Sequence, residues 1–279
     1  MALSFRFITF TSDYGLEDEF VGVCRGVIKR FAPEVEILDI SHAIPPQDLR
    51  AGANVLAQAV KYMPPAVHLA IVDPGVGTER RAVVIGTVQG PPLIGPDNGL
   101  LWLAAHRLGG PTQAHEITRE DLCLQPTSRT FHGRDIFAPI AARLALGMPP
   151  EDVGPAIDID DLEKFELPTA RVDDDHVHGQ IVQTDHFGNL QLNVTREDLE
   201  SLGVMIGDAV ELRIGGKAHG VQFCQTFAEV PAGRLAVIED SYRHIAVVVN
   251  RGSAAKRLEA HRGDPVILAR AQKAAQALG

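Results

Sequence analysis

Cysteine is scarce: Cys24, Cys123 and Cys224 are the only three in 279 residues, and no two are close in sequence. That spacing excludes a disulfide framework and the paired-cysteine zinc sites, and it suits reduced thiols in a cytoplasm. Positive charge is also short. Lysine and arginine total 26 against 36 aspartates and glutamates, a formal charge of −10. Nucleic acid is thereby excluded as the main partner, because neutralising phosphates needs a basic face. No apolar run reaches the ~20 residues of a membrane span. Thr9, Thr11, Ser12 and Asp13 interrupt the first apolar stretch, which makes it neither a signal peptide nor an anchor. Common signatures are missing too. Gly75-Val76-Gly77 lacks the rest of a dinucleotide fingerprint, and neither a Walker loop nor a G-x-S-x-G elbow occurs. What remains, 45% hydrophobic residues with 22% charged, is the make-up of a soluble chain with a sizeable core.

The first half alternates strand-like and helix-like segments. Strands are expected at Phe5–Phe10, Val35–Ile40, Val67–Val72 and Ala82–Val88. Helices are expected at Glu19–Phe31 with Asp18 as cap, at Leu100–Leu108 and at Asp135–Leu146. Another is expected to begin at Pro46, with Leu49, Ala53, Leu56 and Val60 on one face. Such alternation implies right-handed crossovers and a largely parallel sheet. Past Leu167-Pro168 and the acidic run Asp173–Asp175, short β-rich runs take over: Gly179–Thr184, Leu190–Asn193, Ala209–Ile214, Leu235–Ile238, Ile245–Asn250 and Pro265–Ala269. The expected organisation is an α/β domain over 1–165, a linker over 166–178 and a smaller all-β, barrel-like domain over 179–279.

Four polar clusters fall at expected strand ends or helix starts, where open α/β sheets bind ligands. Ser12-Asp13-Tyr14-Gly15 follows the first strand. A carboxylate there suits the vicinal hydroxyls of a ribose, and suits ordinary helix capping as well. Asp73 ends an apolar strand and faces Arg80 across Pro74, Gly75 and Gly77; a reactive site and a tight turn with a salt bridge both fit. His132 immediately precedes a helix, whose positive end disfavours imidazolium and favours a bound anion; structural hydrogen bonding fits equally. Asp185-His186-Phe187-Gly188-Asn189 presents donor, acceptor and stacking surface to a purine, or forms a plain hairpin turn. His176, His178 and His186 match no common zinc spacing, and no metal is expected.

Together these clusters resemble the S-adenosylmethionine hydroxide adenosyltransferases, the hydrolase relatives of the fluorinase and chlorinase. The likeness runs through S-D-Y-G, V-D-P-G-V-G-T-x-R, G-P-D-N-G-L-L, F-H-G-R-D-x-F-A-P, D-x-F-G-N-L, T-F-A-x-V-P-x-G and G-S-A-A, in that order. It implies an α/β domain joined to a β-barrel-like domain, assembled as a homotrimer with each active site between the N-terminal domain of one subunit and the C-terminal domain of its neighbour. It implies that Asp13 grips the ribose hydroxyls and that Asp73, Arg80 and His132 form a catalytic, water-activating trio. Asp185 and Asn189 match positions contacting the methionine and adenosine ends, with Phe187 and Phe227 as walls and the backbone of Val249–Arg251 near the adenine edge. Ser241 falls where a serine holds the methionine carboxylate, with Tyr242 beside it. The halogenase branch differs at two positions: an aromatic stands at Asp73, and Tyr-Ser or Tyr-Gly at His132-Gly133. One departure from the family is Asp240-Ser241-Tyr242-Arg243, where Asn-Ser-Ser-Gly or Asn-Ser-Arg-Gly is the pattern.

The activity this implies is hydrolysis of S-adenosyl-L-methionine to adenosine and L-methionine by water attack at ribose C5′, with no cofactor. Two other readings remain: halide transfer from the same substrate, and a non-catalytic module that binds adenosine or S-adenosylmethionine.

Overall fold

The computed structural model describes residues 4–271; the outer ends of the two expected domain ranges, 1–3 and 272–279, lie outside the described residues. The chain divides into two compact units after Glu166. The first contains β1 (Phe7–Ser12), α1 (Phe20–Phe31), β2 (Glu36–Ser41), α2 (Leu49–Ala59), β3 (Ala66–Ile71), β4 (Ala82–Thr87), β5 (Leu93–Pro96), α3 (Trp102–Arg107) and β6 (Pro111–Glu116). A π-turn, Gly133–Phe137, then runs into α4 (Ala138–Ala145), and β7 (Ala156–Ile157) ends the sheet.

Strand order is β2-β1-β3-β5-β4-β6-β7. The strands β2, β1, β3 and β5 are parallel, while β4, β6 and β7 join with antiparallel pairings. From β1 the chain crosses to β2 on one side and then returns past β1 to β3, so the order reverses between β1 and β3. That switch point is where ligands bind in open α/β sheets. Ser12 pairs opposite Ile71, and the loops opening at Asp13 and Asp73 therefore leave the sheet side by side. Strand β3 is buried along its whole length, as a central parallel strand covered on both faces must be. Ile8, Phe10, Leu69 and Ile71 pack into one core cluster with α1 and α4; Ala70 and Val72 pack into another with α2 and α3.

Local chemistry moved several expected boundaries. Asp18 does not cap α1: Glu19 takes the cap position and makes no side-chain cap bond. Pro46 lies ahead of α2, which starts where the Asp48 side chain accepts from Ala51 N. Leu100 and Leu101 are buried in the turn before the shortened α3. Strands β5 and β6 are not among the expected strands: Leu93–Pro96 is only four residues long and runs into the Pro96–Gly99 turn, and Pro111–Glu116 is polar.

The second unit contains β8 (Arg171–Val172), β9 (His176–Thr184), β10 (Leu190–Thr195), α5 (Arg196–Ser201), β11 (Ala209–Ile214), β12 (Lys217–Cys224), β13 (Leu235–Glu239), β14 (His244–Val249), α6 (Ala254–Leu258) and β15 (Pro265–Arg270). Seven strands close on themselves in the order β9-β10-β14-β13-β12-β11-β15, and β8 pairs on the outside of β9. Closure removes the open edges that a sheet would otherwise present. Leu190, Leu192, Leu212, Phe223, Val247 and Leu268 fill the interior. The acidic run forms the turn between β8 and β9, where Asp173 Oδ1 accepts from His176 N at 2.8 Å. Among the described residues no helix is long and apolar enough to cross a membrane.

Candidate active site

The loop after β3 is a turn built around its own backbone: Val76 N donates to Asp73 O at 3.2 Å and Thr78 Oγ1 to Gly75 O at 2.7 Å. Gly77 holds φ +76°, and a Cβ there would fall on the Arg129 carbonyl. Asn98 Nδ2 donates to Val72 O at 2.9 Å, which fixes the residue before Asp73. The turn folds Arg80 back over Asp73. Arg80 Nε donates to Asp73 Oδ1 at 3.0 Å and Nη2 donates to Oδ2 at 2.5 Å, with the two side chains only 10% and 7% exposed. Bidentate charge-assisted pairs of this kind fix geometry as well as charge.

Arg80 Nη2 also donates to His132 Nδ1 at 2.7 Å. A guanidinium has no acceptor, so Nδ1 carries no proton and the imidazole keeps its hydrogen on Nε2. Burial, reinforced by the Arg80 charge, lowers the His132 pKa from its ordinary value, and the ring is neutral near pH 7. Residues separated by 52 positions thus form one chain of contacts, Asp73–Arg80–His132. His132 stands at the head of the π-turn, which is itself braced: Asp135 is buried, accepts from Ser128 N at 2.8 Å and pairs with Arg134. A Cβ at Gly133 would fall on the Tyr14 hydroxyl. Tyr14 packs edge-on against Phe131, and Phe131 against Phe20, which lays an aromatic edge along the site.

Asp13 lies across the same hollow. Its Oδ2 accepts from Gln47 N at 2.8 Å, which leaves Oδ1 available to a ligand. Desolvation raises its pKa, against the lowering effect of the Gln47 N–H. Asp13, Tyr14, Gln47, Asp73, Val76 and His132 line a hollow of about 270 Å³. That is below the ~300–1,000 Å³ usual for pockets that enclose a small molecule. Sequence reasoning missed Gln47 and Tyr14. Gln47 acts through its backbone, which no side-chain pattern reveals, while Tyr14 belonged to a quoted motif but had no assigned role.

The barrel carries a separate hollow of about 520 Å³, lined by Phe187, Asn189, Phe227, Val249 and Arg251 among others. Its character differs. Phe187 is 75% exposed and Phe227 42%. Both Asp185 oxygens already hold the loop: Oδ1 accepts from Phe187 N and Asn189 N, both at 2.9 Å, and Oδ2 from Asn189 Nδ2 at 2.7 Å. Gly188 has φ +84°, and a Cβ there would fall on Ser253. Ser241 and Tyr242 sit in the β13–β14 turn, at the far end of β14 from Val249. Gln191, two residues after Asn189, links to that turn through Asp240 Oδ2 at 2.5 Å. The other Asp240 oxygen accepts from Tyr242 N at 2.8 Å and His244 N at 3.0 Å. The acid that departs from the family pattern is therefore satisfied by its own turn and by Gln191 of β10. Arg243 occupies the left-handed position there, φ +68°, where the pattern has glycine. Among the described residues no group of three histidine, cysteine or acidic side chains is placed to hold a metal ion.

Comparison with known proteins covers both units. Residues 8–154 match the SAM hydroxide adenosyltransferase N-terminal domain and residues 179–267 the C-terminal domain of the same family. A relative from Salinispora tropica, named (R)-S-adenosyl-L-methionine hydrolase, is 48% identical over 92% of this chain and 95% of its own. One of the same name from Thermus thermophilus is 41% identical over 94% and 99%. Fluorinases match at lower identity, 30% for that of Nocardia brasiliensis. A crystal structure of an uncharacterized conserved protein from Thermotoga maritima superposes with a TM-score of 0.89 at 36% identity, covering 94% of this chain and 100% of that one.

Proposed function

The chain belongs to the SAM hydroxide adenosyltransferase family, and from that premise we propose that it is an enzyme hydrolysing S-adenosyl-L-methionine to adenosine and L-methionine. The observation that carries the reading is that Asp73 and His132, joined through Arg80, line one hollow with Asp13. Water attacks C5′ of the ribose; the C5′–S bond breaks and its electron pair neutralises the sulfonium as methionine's thioether. One proton is released overall. The leaving group needs no acid, and the difficulty lies in the nucleophile, since water has a pKa of about 15.7. Arg80 and the Nε2–H of His132 are both donors, and in this reading they stabilise the hydroxide character that the attacking oxygen acquires. Asp73 holds Arg80 in place and balances its charge. Asp13 takes the ribose hydroxyls and so fixes C5′ in line. No cofactor is required.

Phe187, Phe227 and Asn189 serve the adenine, Asp185 holds their loop, and Ser241 with Tyr242 serves the methionine carboxylate. Each hollow is open, and the first is small for this substrate. Both facts support a homotrimer in which the α/β unit of one subunit and the barrel of its neighbour complete each site. The free cysteines, two of them buried, suit the cytoplasm. The relatives' name specifies the (R) sulfonium, and that preference is carried to this chain. Incubation of each sulfonium epimer in ¹⁸O-water tests the reading. Label in the adenosine 5′-hydroxyl, faster from the (R) epimer, is the expected result; unlabelled adenosine overturns it.

A further inference from the structure

Beneath Asp13 lies a set of side chains with the composition of a hydrolytic triad and none of its access. Ser12 Oγ is 2.7 Å from His42 Nδ1, and His42 Nε2 is 3.0 Å from Asp39 Oδ1, while Asp39 Oδ2 pairs with Arg25. Ser12 has no solvent exposure and reaches no substrate, which excludes a nucleophile. The chain has a fixed direction. A carboxylate only accepts, so the imidazole hydrogen sits on Nε2. Burial lowers the His42 pKa to about 4, the ring is neutral, and Nδ1 accepts from the Ser12 hydroxyl. The serine oxygen in turn accepts from Tyr14 N at 3.4 Å.

The segment that begins at His42 grips the same turn twice more. Gly15 N, at φ +71°, donates to His42 O at 2.8 Å, and Gln47 N donates to Asp13 Oδ2 at 2.8 Å. Gln47 itself holds φ +64°, a left-handed conformation that a non-glycine residue adopts at a cost and that recurs at functional sites. We infer that Asp39, His42 and Ser12 are positioning residues that aim the Asp13 carboxylate at a ribose diol through the 12–15 turn, a role resting on the assignment of Asp13 to those hydroxyls. None of the three touches the ligand. Their contribution is confined to the orientation of one acceptor.

Calorimetric binding of adenosine and of 2′,3′-dideoxyadenosine to the full chain isolates that contribution. The ratio of the two dissociation constants measures recognition of the diol alone. Asp13→Asn is expected to abolish most of the preference for adenosine. Ser12→Ala, a small change at a buried site, and His42→Asn are each expected to lower the ratio about tenfold, leaving dideoxyadenosine affinity within about twofold. Equal weakening of both ligands in Ser12→Ala and His42→Asn would mean a merely structural role and overturn the inference. So would a wild-type ratio in both variants while Asp13→Asn loses it. If Asp13→Asn itself keeps the wild-type ratio, the assignment of Asp13 falls, and the inference with it.

Discussion

The two hollows are built on opposite principles. At the α/β hollow the charged groups are held before a ligand arrives: Asp73 by Arg80, Arg80 by His132 as well, Asp13 by Gln47. In the barrel Asp185 is consumed by its own loop and Asp240 by its own turn together with Gln191 of β10, and what faces outward is aromatic surface, Phe187 and Phe227. The contrast suits the roles proposed for the two hollows. Stabilising charge that develops during a reaction works only if the donors need no reorganisation at that moment. Stacking on a purine needs area and tolerates a mobile partner.

The comparison is open to attack at four points, in descending order of effect. Arg80→Ala is expected to lower kcat by ~10²–10³-fold with little change in adenosine affinity, measured by chromatographic product assay beside calorimetry. Arg80→Lys is expected to recover little, because an ammonium cannot serve Asp73 and His132 as one planar fork does. A loss confined to KM would erase the distinction between the hollows.

The second point is acid. His42 and His68 are buried, and desolvation lowers both pKa values to about 4. Unfolded histidine titrates near 6.5. The stability from keeping these rings neutral is full above that value and is lost as pH falls from about 6.5 through about 4. Each ring forfeits on the order of 3 kcal/mol when the loss is complete. Both lie in the α/β unit, so hydrogen exchange near pH 4.5 is expected to show β1–β3 losing protection before the barrel strands; simultaneous loss would contradict this. His132 adds a kinetic counterpart. Because its pKa is lowered, the acid limb of kcat is expected below the ordinary imidazole value.

Third, Phe187→Ala is expected to raise KM roughly five- to tenfold, as loss of ~1–1.5 kcal/mol of stacking would. Neither kcat nor the melting temperature is expected to move much, since the ring is 75% exposed. Smallest of all, Arg243→Gly is expected to stabilise the barrel by under ~1 kcal/mol. It relieves the left-handed position at φ +68° against glycine's own entropic cost. Chemical denaturation measures the gain, and a loss would mean that the Arg243–Glu239 contact at 3.3 Å outweighs the strain.

Legibility also divided along this line. The apolar run into Asp73, the glycine turn and Arg80 are contiguous, and the strand-end rule places them at a ligand crevice. His132 joined them in the sequence reading through family resemblance, because no spacing rule connects positions 73 and 132. The supports were invisible. Gln47 acts through a backbone N–H, and His42, Asp39 and Ser12 meet only because β1 and β2 are neighbours. Strand β12 escaped notice because Gly220 interrupts a polar stretch, Lys217–Gly220, that acquires strand character only by pairing with β11. Closure of the barrel likewise depends on the β9–β10 and β15–β9 pairings, which are properties of the whole ring rather than of any segment.

The space left above Gly133 by the Tyr14 hydroxyl bears on which side chains position 133 can take. The sequence resemblance gives the halogenase branch Tyr-Ser or Tyr-Gly at positions 132 and 133. Introducing the serine form here sets a side-chain carbon on the Tyr14 oxygen, and Tyr14 is wedged among Phe20 and Phe131. Room for that serine must come from a shift of the Tyr14 side chain against Phe20 and Phe131.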